Sequence, residues 1–213
     1  MGRKKLIHIQ NVGKKENVFD ENKKIRGKWH EFFKSDGGIV LEIGCGYGQY
    51  TIGLAKKFKD KNFIGMDRKG DRVWYGAEKA TGGGLSNVAF INGFAEKLDE
   101  YFAEGEVSEI WVTFPDPYPK PCKHKRILTS SRFLEVYRKI ASKNAIIHLK
   151  TDNKHVFDYT KAVIQKEDLK TIKEIQNVHA QKEVSELLQI TTYYERKFME
   201  QGKDIYYIKF KLN

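Results

Sequence analysis

The sequence predicts an α/β domain built around a mostly parallel β-sheet. From residue 37 onward, short apolar runs alternate with segments whose apolar residues recur at helical spacing, as in repeated strand–helix–strand units. One apolar run leads into the carboxylate of Glu42 and then into three glycines on alternate positions, Gly44, Gly46 and Gly48. With 213 residues, 40% of them hydrophobic, the chain is long enough to bury the core of one domain.

The apolar runs and the helical periodicity place the individual elements along the chain. Six strands are predicted, at about 38–43, 62–66, 87–92, 109–114, 145–150 and 205–212. Four helices are predicted between them, near 50–58, 69–80, 95–102 and 130–141. The fourth helix has the clearest pattern, because Phe133, Tyr137 and Ile140 share a helical face behind the N-cap candidate Ser130. The polar region 176–190 is expected to mix helix and loop.

The chain carries a formal net charge of +11, and the basic excess is concentrated at the N-terminus. Residues 1–30 contain nine Lys or Arg residues against three Asp or Glu residues. We therefore expect a basic N-terminal arm over 1–30, which includes the start of the first helix, and a single domain over 31–213. A flexible basic arm gains affinity for a polyanion by releasing counterions from phosphates, although a charge run that only keeps a protein in solution is also common.

A membrane-spanning segment or a signal peptide in the sequence would bear on where the protein is located. No apolar stretch approaches the roughly 20 residues of a membrane-spanning helix, and the N-terminus has no apolar run of signal-peptide length. The sequence therefore predicts a soluble, cytoplasmic protein with no membrane partner, either a monomer or a homodimer. Cys45 and Cys122 are the two cysteines, and their surroundings favour neither a disulfide framework nor a metal site.

The segment Glu42–Gly48 is typical of a nucleotide-cofactor loop. Small residues after a buried strand let the backbone turn tightly and approach a ligand that a side chain would exclude. A dinucleotide site usually needs a further glycine where this chain has Gln49, whereas Glu-x-Gly-x-Gly-x-Gly is the rhythm of S-adenosylmethionine sites. An ordinary glycine-rich strand-to-helix turn is the alternative.

Two further strand ends complete the predicted cofactor pocket. Asp67 follows the second strand, nineteen residues after Gly48, where an acidic residue can accept hydrogen bonds from ribose hydroxyls or cap the next helix. The third strand runs into Asn92-Gly93-Phe94-Ala95, which a doubly wound domain would place near the adenine.

A proline-rich loop follows the fourth strand. Three of the four prolines of the chain lie in Pro115-Asp116-Pro117-Tyr118-Pro119, and proline fixes backbone angles and removes donors. The loop is therefore stiff, and it presents Asp116 and Tyr118 at the carboxyl end of the sheet. A rigid structural turn is the alternative, but an acid, an aromatic residue and the following Lys120 at a strand end favour a functional loop.

Together these features resemble the tRNA (guanine-N7) methyltransferases, a family of class I S-adenosylmethionine-dependent enzymes with a Rossmann-like fold. The resemblance covers nearly the whole chain after residue 37. It rests on five ordered motifs, Leu41-Glu42-Ile43-Gly44-Cys45-Gly46, Phe114-Pro115-Asp116-Pro117-Tyr118-Pro119-Lys120, Lys125-Arg126-Ile127-Leu128-Thr129, Lys150-Thr151-Asp152-Asn153 and Thr192-Tyr193-Tyr194-Glu195-Arg196-Lys197-Phe198. It implies a mostly parallel seven-stranded sheet with an antiparallel C-terminal strand.

The resemblance also implies a role for individual residues. The cofactor, S-adenosylmethionine, would be held by Glu42, Gly44, Gly46, Gly48, Asp67, Asn92, Gly93, Phe94, Ala95 and Asp116. Asp116 would also be the catalytic residue, between cofactor and base. The target nucleotide of the partner tRNA, expected to be the variable-loop guanine, would be bound by Tyr118, Lys120, Asp152, Thr192 and Glu195. The RNA backbone would be contacted by Lys123, His124, Lys125 and Arg126.

The residue types suit the implied reaction. Guanine N7 has a free lone pair and no proton, so it can attack the sulfonium methyl in line without a general base, and the product ring becomes cationic. Catalysis then rests on orientation and electrostatics. Carboxylates such as Asp116 and Asp152 can accept from the guanine N1 and N2 hydrogens, Tyr118 can stack on an exposed base, and Thr192 and Lys120 can fix ribose or phosphate.

The chain departs from the family pattern at four positions, and other functions stay open. Tyr118 stands where the family has tryptophan, Phe94 where it has an acid, and Pro121 and Cys122 where it has basic residues. One alternative is methylation of an exocyclic base amine, since those enzymes also carry an acid, a proline and an aromatic residue after the fourth strand. Another is a catalytically silent RNA-binding protein. A nicotinamide dehydrogenase is disfavoured by Gln49.

Overall fold

The computed structural model describes residues 3–23 and 25–212, and its centre is one eight-stranded sheet. The strands, in chain order, are β1 (Val18–Phe19), β2 (Ile39–Ile43), β3 (Asn62–Asp67), β4 (Val88–Asn92), β5 (Val107–Thr113), β6 (Ala141–Thr151), β7 (Thr171–Ile175) and β8 (Tyr206–Lys211). The α-helices are α1 (Arg3–Asn11), α2 (Trp29–Phe33), α3 (Gln49–Lys57), α4 (Gly70–Gly82), α5 (Leu98–Tyr101), α6 (Ser131–Arg138), α7 (Lys154–Lys166), α8 (Glu186–Gln189) and α9 (Tyr193–Glu200).

The strand order is β1-β4-β3-β2-β5-β6-β8-β7. Pairings from β1 to β6 are parallel, and β8 runs antiparallel to both β6 and β7. The predicted mostly parallel sheet with an antiparallel C-terminal strand is therefore confirmed, and so are the six strands and the helices near 50–58 and 69–80. The predicted helix 95–102 is a 3₁₀ helix, Ala95–Lys97, followed by the short α5, and the predicted helix 130–141 ends at Arg138 because β6 begins at Ala141. The expected strand number of seven is corrected to eight. The extra edge strand β1 has only two residues, too few to show a period-two pattern.

The sheet is covered on both faces, as expected for parallel strands. Side chains alternate along β2, so Leu41 and Val40 enter different cores. Leu41 packs in the cluster that contains Phe133 of α6 and Phe157 of α7. Val40 packs in the cluster that contains Tyr50 of α3. In the described part of the chain, no helix is both long and apolar enough to cross a membrane.

The N-terminal segment packs on the domain. The side chain of Val12 is 4% exposed and that of Val18 is fully buried, and the ring of His8 stacks on Trp74 of α4 at a centroid distance of 3.8 Å. The described part of this segment is therefore folded against the domain. Lys24 of the predicted arm lies outside the described residues, as do positions 1, 2 and 213 at the predicted domain ends, and the division at residue 30 stays a prediction.

Candidate active site

The predicted site residues follow strands whose carboxyl ends meet at one edge of the sheet. Ile43 at the end of β2 pairs with Met66 on one side and with Val112 on the other, and Asp67 pairs with Asn92. The loops after β2, β3, β4 and β5 therefore meet at this edge, where open α/β sheets bind ligands.

The backbone of the glycine loop is held in a conformation that favours glycine. Gly44, Gly46 and Gly48 have φ of +75°, +55° and +67°, in the left-handed region that residues with a Cβ rarely adopt. Gly48 is also needed for space, because a Cβ there would lie 2.5 Å from the Phe90 ring. The loop is anchored to β3, since the N–H of Gly44 donates to the carbonyl of Met66 at 2.8 Å.

The carboxylate of Glu42 lies beneath this loop and joins three elements. Its side chain is nearly fully buried, and it accepts hydrogen bonds from the Thr51 N–H at 2.9 Å and from the Thr113 hydroxyl at 2.6 Å. Thr51 is in the first turn of α3, where a carboxylate satisfies a free N–H and favours the helix dipole. Burial raises the pKa of Glu42 to about 7, although the hydrogen bonds from Thr113 and Thr51 act to lower it. Its predicted contact with the cofactor stays a prediction.

Asp67 connects the glycine loop to the next strand ends. One carboxylate oxygen accepts from the Gly46 N–H at 3.0 Å, and the other accepts from the Lys69 N–H at 2.8 Å. The Asn92 side chain donates to the Asp67 carbonyl at 3.1 Å, and the Gly93 N–H donates to the same carbonyl at 3.2 Å. The structure thus brings these predicted cofactor residues together.

Phe94 and Ala95 both follow β4, but their side chains lie in different environments. The Phe94 side chain is 56% exposed, so its ring is available to a ligand at this edge. Ala95 is half-buried and packs against the core that contains Leu41. The predicted adenine contact of these two residues stays a prediction.

The loop after β5 is strained where the sequence predicts stiffness. Phe114 and Tyr118 have φ of +50° and +42°, and left-handed conformations in residues other than glycine cost about 1–3 kcal/mol each. The surroundings maintain them: the Phe114 N–H donates to the Lys150 carbonyl at 2.8 Å, and Tyr118 is half-buried against the core. Between them, Asp116 is exposed, so a fixed backbone carries an exposed carboxylate shortly after the end of β5.

The segment Pro121–Arg126 forms a short 3₁₀ helix directly after this loop. Lys120, Lys123, Lys125 and Arg126 are exposed on it or beside it. His124 instead packs inward, with its ring centroid 5.1 Å from that of Tyr159 in α7. The lysines and the arginine are therefore accessible to a ligand, whereas His124 is half-buried. The predicted RNA contacts of Lys123, His124, Lys125 and Arg126 stay predictions.

Three predicted nucleotide ligands already have protein partners. Asp152 accepts from the ammonium of Lys203 at 2.8 Å, and that ammonium also lies 4.5 Å from the Phe198 ring centroid. Thr192 and Glu195 form a capping box at the start of α9: the Thr192 hydroxyl accepts from the Glu195 N–H at 3.1 Å, and the Glu195 carboxylate accepts from the Thr192 N–H at 3.4 Å.

Glu195 is fully buried and paired with Lys150. The carboxylate accepts from the Lys150 ammonium at 2.7 Å and lies 2.9 Å from Nε2 of His179. Burial lowers the pKa of Lys150, and the neighbouring Glu195 opposes that shift. Direct contact between Glu195 and a nucleotide needs a rearrangement of this segment, so its role as a substrate ligand stays a prediction.

The sequence did not predict the residues that hydrogen-bond to the predicted ligands and hold them in place. Lys150, His179 and Lys203 pair with predicted ligands, and Thr51 and Thr113 hold Glu42. One signal was available, because Thr-x-x-Glu before a helical segment is the sequence pattern of a capping box. The other pairings join residues that are distant in sequence, and no local pattern reports them.

The family of the chain follows from comparison with known proteins. Residues 36–208 match the family described as "Putative methyltransferase". A protein of Bacteroides fragilis (strain YCH46) named tRNA (guanine-N(7)-)-methyltransferase is 45% identical, with 100% of this chain and 87% of that protein covered. The chain belongs to the tRNA (guanine-N(7)-)-methyltransferase family. A member from Porphyromonas gingivalis (strain ATCC BAA-308 / W83) is 48% identical over 88% of this chain and 77% of its own length.

Solved structures confirm the Rossmann-like methyltransferase fold. A crystal structure of the 16S rRNA methyltransferase KamB covers 86% of this chain and 92% of its own, with a TM-score of 0.67 and 16% identity. A SAM-dependent methyltransferase from Aquifex aeolicus covers 86% of each chain, with a TM-score of 0.57 and 16% identity. At these identities the likeness concerns the fold alone.

Members of this family are methyltransferases, and S-adenosylmethionine is the methyl donor that the sequence predicts. The edge of the sheet fits that cofactor. A Cβ added to Gly44 would lie 3.8 Å from the Leu128 side chain, and one added to Gly46 would lie 4.0 Å from the Arg72 side chain. Neighbouring side chains therefore do not crowd this stretch of backbone, and Gly44 is exposed. The Asp67 carboxylate, which already orients Gly46, retains lone pairs for ribose hydroxyls. The bound cofactor supplies an electrophilic methyl group on a sulfonium.

Proposed function

We propose that this protein methylates N7 of a guanine in tRNA, and that this guanine lies in the variable loop. The observation that carries the proposal is the position of Asp116, an exposed carboxylate on a strained loop between the cofactor edge and the basic 3₁₀ helix Pro121–Arg126. The names of relatives such as the Bacteroides fragilis protein support the same substrate. The enzyme would act in the cytoplasm, where its tRNA substrate is modified.

The proposed chemistry asks the protein for orientation and charge, because N7 carries a lone pair and no proton. Asp116 accepts hydrogen bonds from the N1 and N2 hydrogens of guanine and stabilises the positive charge that develops on the ring. The Pro115–Pro119 backbone keeps the carboxylate in place before the substrate arrives, so little reorganisation is needed during the transfer. Tyr118 offers an aromatic ring for the displaced base.

The remaining predicted ligands divide between nucleotide and backbone. Asp152 shares its charge with Lys203, so it is suited to hydrogen bonding more than to neutralising a cation. Lys120, beside the strained loop, reaches toward a phosphate of the target nucleotide. The exposed cations of the 3₁₀ helix then follow the RNA backbone on either side and release its counterions.

Product analysis tests this proposal. The protein is incubated with methyl-labelled S-adenosylmethionine and an unmodified tRNA transcript, and the labelled nucleoside is identified after digestion. N7-methylguanosine, located in the variable loop by borohydride-induced chain cleavage, is the expected product. Label on an exocyclic amine would contradict the proposal in favour of a different base methyltransferase. Cofactor binding without transfer to any tRNA would leave an RNA-binding protein of the same fold.

A further inference from the structure

The cofactor loop and the segment that carries Thr192 are joined by a direct hydrogen bond. The Gln49 side-chain oxygen accepts from the Tyr193 N–H at 2.7 Å. Gln49 is the first residue of α3 and directly follows Gly48, while Tyr193 is the first residue of α9 and directly follows Thr192. A backbone N–H can only donate, so the atom that faces it must be the amide oxygen of Gln49.

Three further hydrogen bonds join this segment, residues 187–195, to the rest of the domain. The Tyr50 hydroxyl donates to the Leu187 carbonyl at 2.7 Å. The buried Lys150 ammonium donates to the carbonyls of Leu188 and Ile190 at 3.1 and 3.2 Å. With Glu195 as the third acceptor, all three ammonium hydrogens are used.

Helix α3 and this segment are also in close contact. A Cβ on Gly53 would lie 2.6 Å from the Ile190 side chain. Ile190 can therefore come this close to α3 because Gly53 has no side chain. The segment 187–195 is therefore fixed against the helix that begins at the cofactor loop. Of these contacts, the hydrogen bond between Gln49 and Tyr193 joins the residues that directly follow the predicted ligands Gly48 and Thr192.

We propose that Gln49 is a positioning residue that fixes the nucleotide-binding end of α9 relative to the cofactor loop. The inference rests on the proposed function for the role of Thr192. Methyl transfer needs the methyl group and the acceptor nitrogen in line, and small displacements of either reduce the rate. Gln49 contacts Tyr193 and acts through it, with no part in bond making. It stands where a dinucleotide-binding loop would have glycine, which could not form this bond.

Two substitutions separate the hydrogen bond from the volume of the side chain. Gln49→Met keeps the length of the side chain and removes the acceptor. Gln49→Glu keeps an acceptor oxygen, and its charge is favourable next to the N-terminus of α9. Gln165→Met, at an exposed position of α7, is the matched control for introducing methionine at the surface.

The first readout is amide hydrogen exchange of the Tyr193 N–H without tRNA. Exchange should become faster in Gln49→Met and remain at the wild-type rate in Gln49→Glu and Gln165→Met. The second readout is kinetic: kcat/KM for tRNA should fall about fivefold in Gln49→Met, equivalent to about one neutral hydrogen bond, and recover in Gln49→Glu. Affinity for S-adenosylmethionine should stay within about twofold of the wild type.

Three results would overturn the inference. These are unchanged Tyr193 exchange in Gln49→Met, equal turnover of the Met and Glu variants, or a parallel loss of cofactor affinity and turnover. Failure of the proposed function gives a different result, because the wild-type protein would then methylate no tRNA guanine. In that case Tyr193 exchange still decides whether Gln49 holds the segment, and an unchanged rate rejects the link.

Discussion

Removing Lys150 should cost far more stability than removing an ordinary surface lysine. Its ammonium and the Glu195 carboxylate are 2.7 Å apart, and neither side chain is exposed. Lys150→Met fills the same space but leaves the Glu195 carboxylate buried without its cation. Breaking a buried pair in this way typically costs about 3–5 kcal/mol, because the remaining charge is desolvated and unpaired. His179 and the Thr192 N–H remain as partners of Glu195, which places the expected loss near the lower value.

The assay is urea unfolding at pH 7, followed by the fluorescence of the three tryptophans, of which Trp29 and Trp111 are fully buried. The midpoint should fall while the slope stays constant, as expected for a change in stability alone. Lys154→Met is the control, because Lys154 forms an exposed pair with Asp158, and it should leave the midpoint unchanged.

A double-mutant cycle isolates the pair. Lys150→Met combined with Glu195→Gln should be more stable than Lys150→Met alone, because the buried charge is then gone, with a coupling free energy of about 2 kcal/mol or more. The reasoning is refuted if Lys150→Met unfolds at the same urea concentration as Lys154→Met, or if the effects of the two substitutions in the cycle simply add.

Three further perturbations test the site. Asp116→Ala should lower methyl transfer about a hundredfold or more while cofactor affinity, measured by calorimetry, changes little; near-normal turnover would reject its catalytic role. Burial raises the pKa of Glu42 from 4.5 to about 7, so the stability provided by its protonated form is complete below about pH 4.5 and lost as the pH rises through about 7. Glu42→Gln should therefore match the wild type near pH 4 and exceed its free energy of unfolding by about 3 kcal/mol above pH 8, and a difference that is independent of pH would contradict this. Neutralising Lys123, Lys125 and Arg126 together should weaken tRNA binding and make the slope of log K against log salt shallower by about two units, whereas an unchanged slope would move the RNA surface elsewhere.

The sequence predicts the fold well because its signals are local. Hydrophobic periodicity places the parallel strands, and the glycines after Glu42 need no partner to be recognised. Asp67 was also predictable, because the strand that precedes it fixes its place at the edge of the sheet. The two-residue β1 and the edge strand β7, largely exposed in four of its five positions, have too little buried surface to produce a pattern.

The contacts that hold the site residues in place could not be predicted from the sequence in the same way. Gln49 and Tyr193 are 144 positions apart, and the packing of the segment 187–195 against α3 brings them together. Glu195 matched a family motif as a nucleotide ligand, yet the structure gives it a buried lysine and a helix cap as partners. A sequence does not distinguish a charged residue that pairs with a distant residue in the fold from one that binds a ligand.

The proposed reaction depends on one atom, the N7 of a tRNA guanine, which accepts the methyl group. A tRNA whose variable-loop guanine is replaced by 7-deazaguanine keeps the N1 and N2 hydrogens but has a C–H group in place of N7. We expect the protein to bind this tRNA with unchanged affinity and to transfer no label to it from S-adenosylmethionine, whereas the matched guanine transcript is methylated. Equal labelling of the two tRNAs would contradict this expectation.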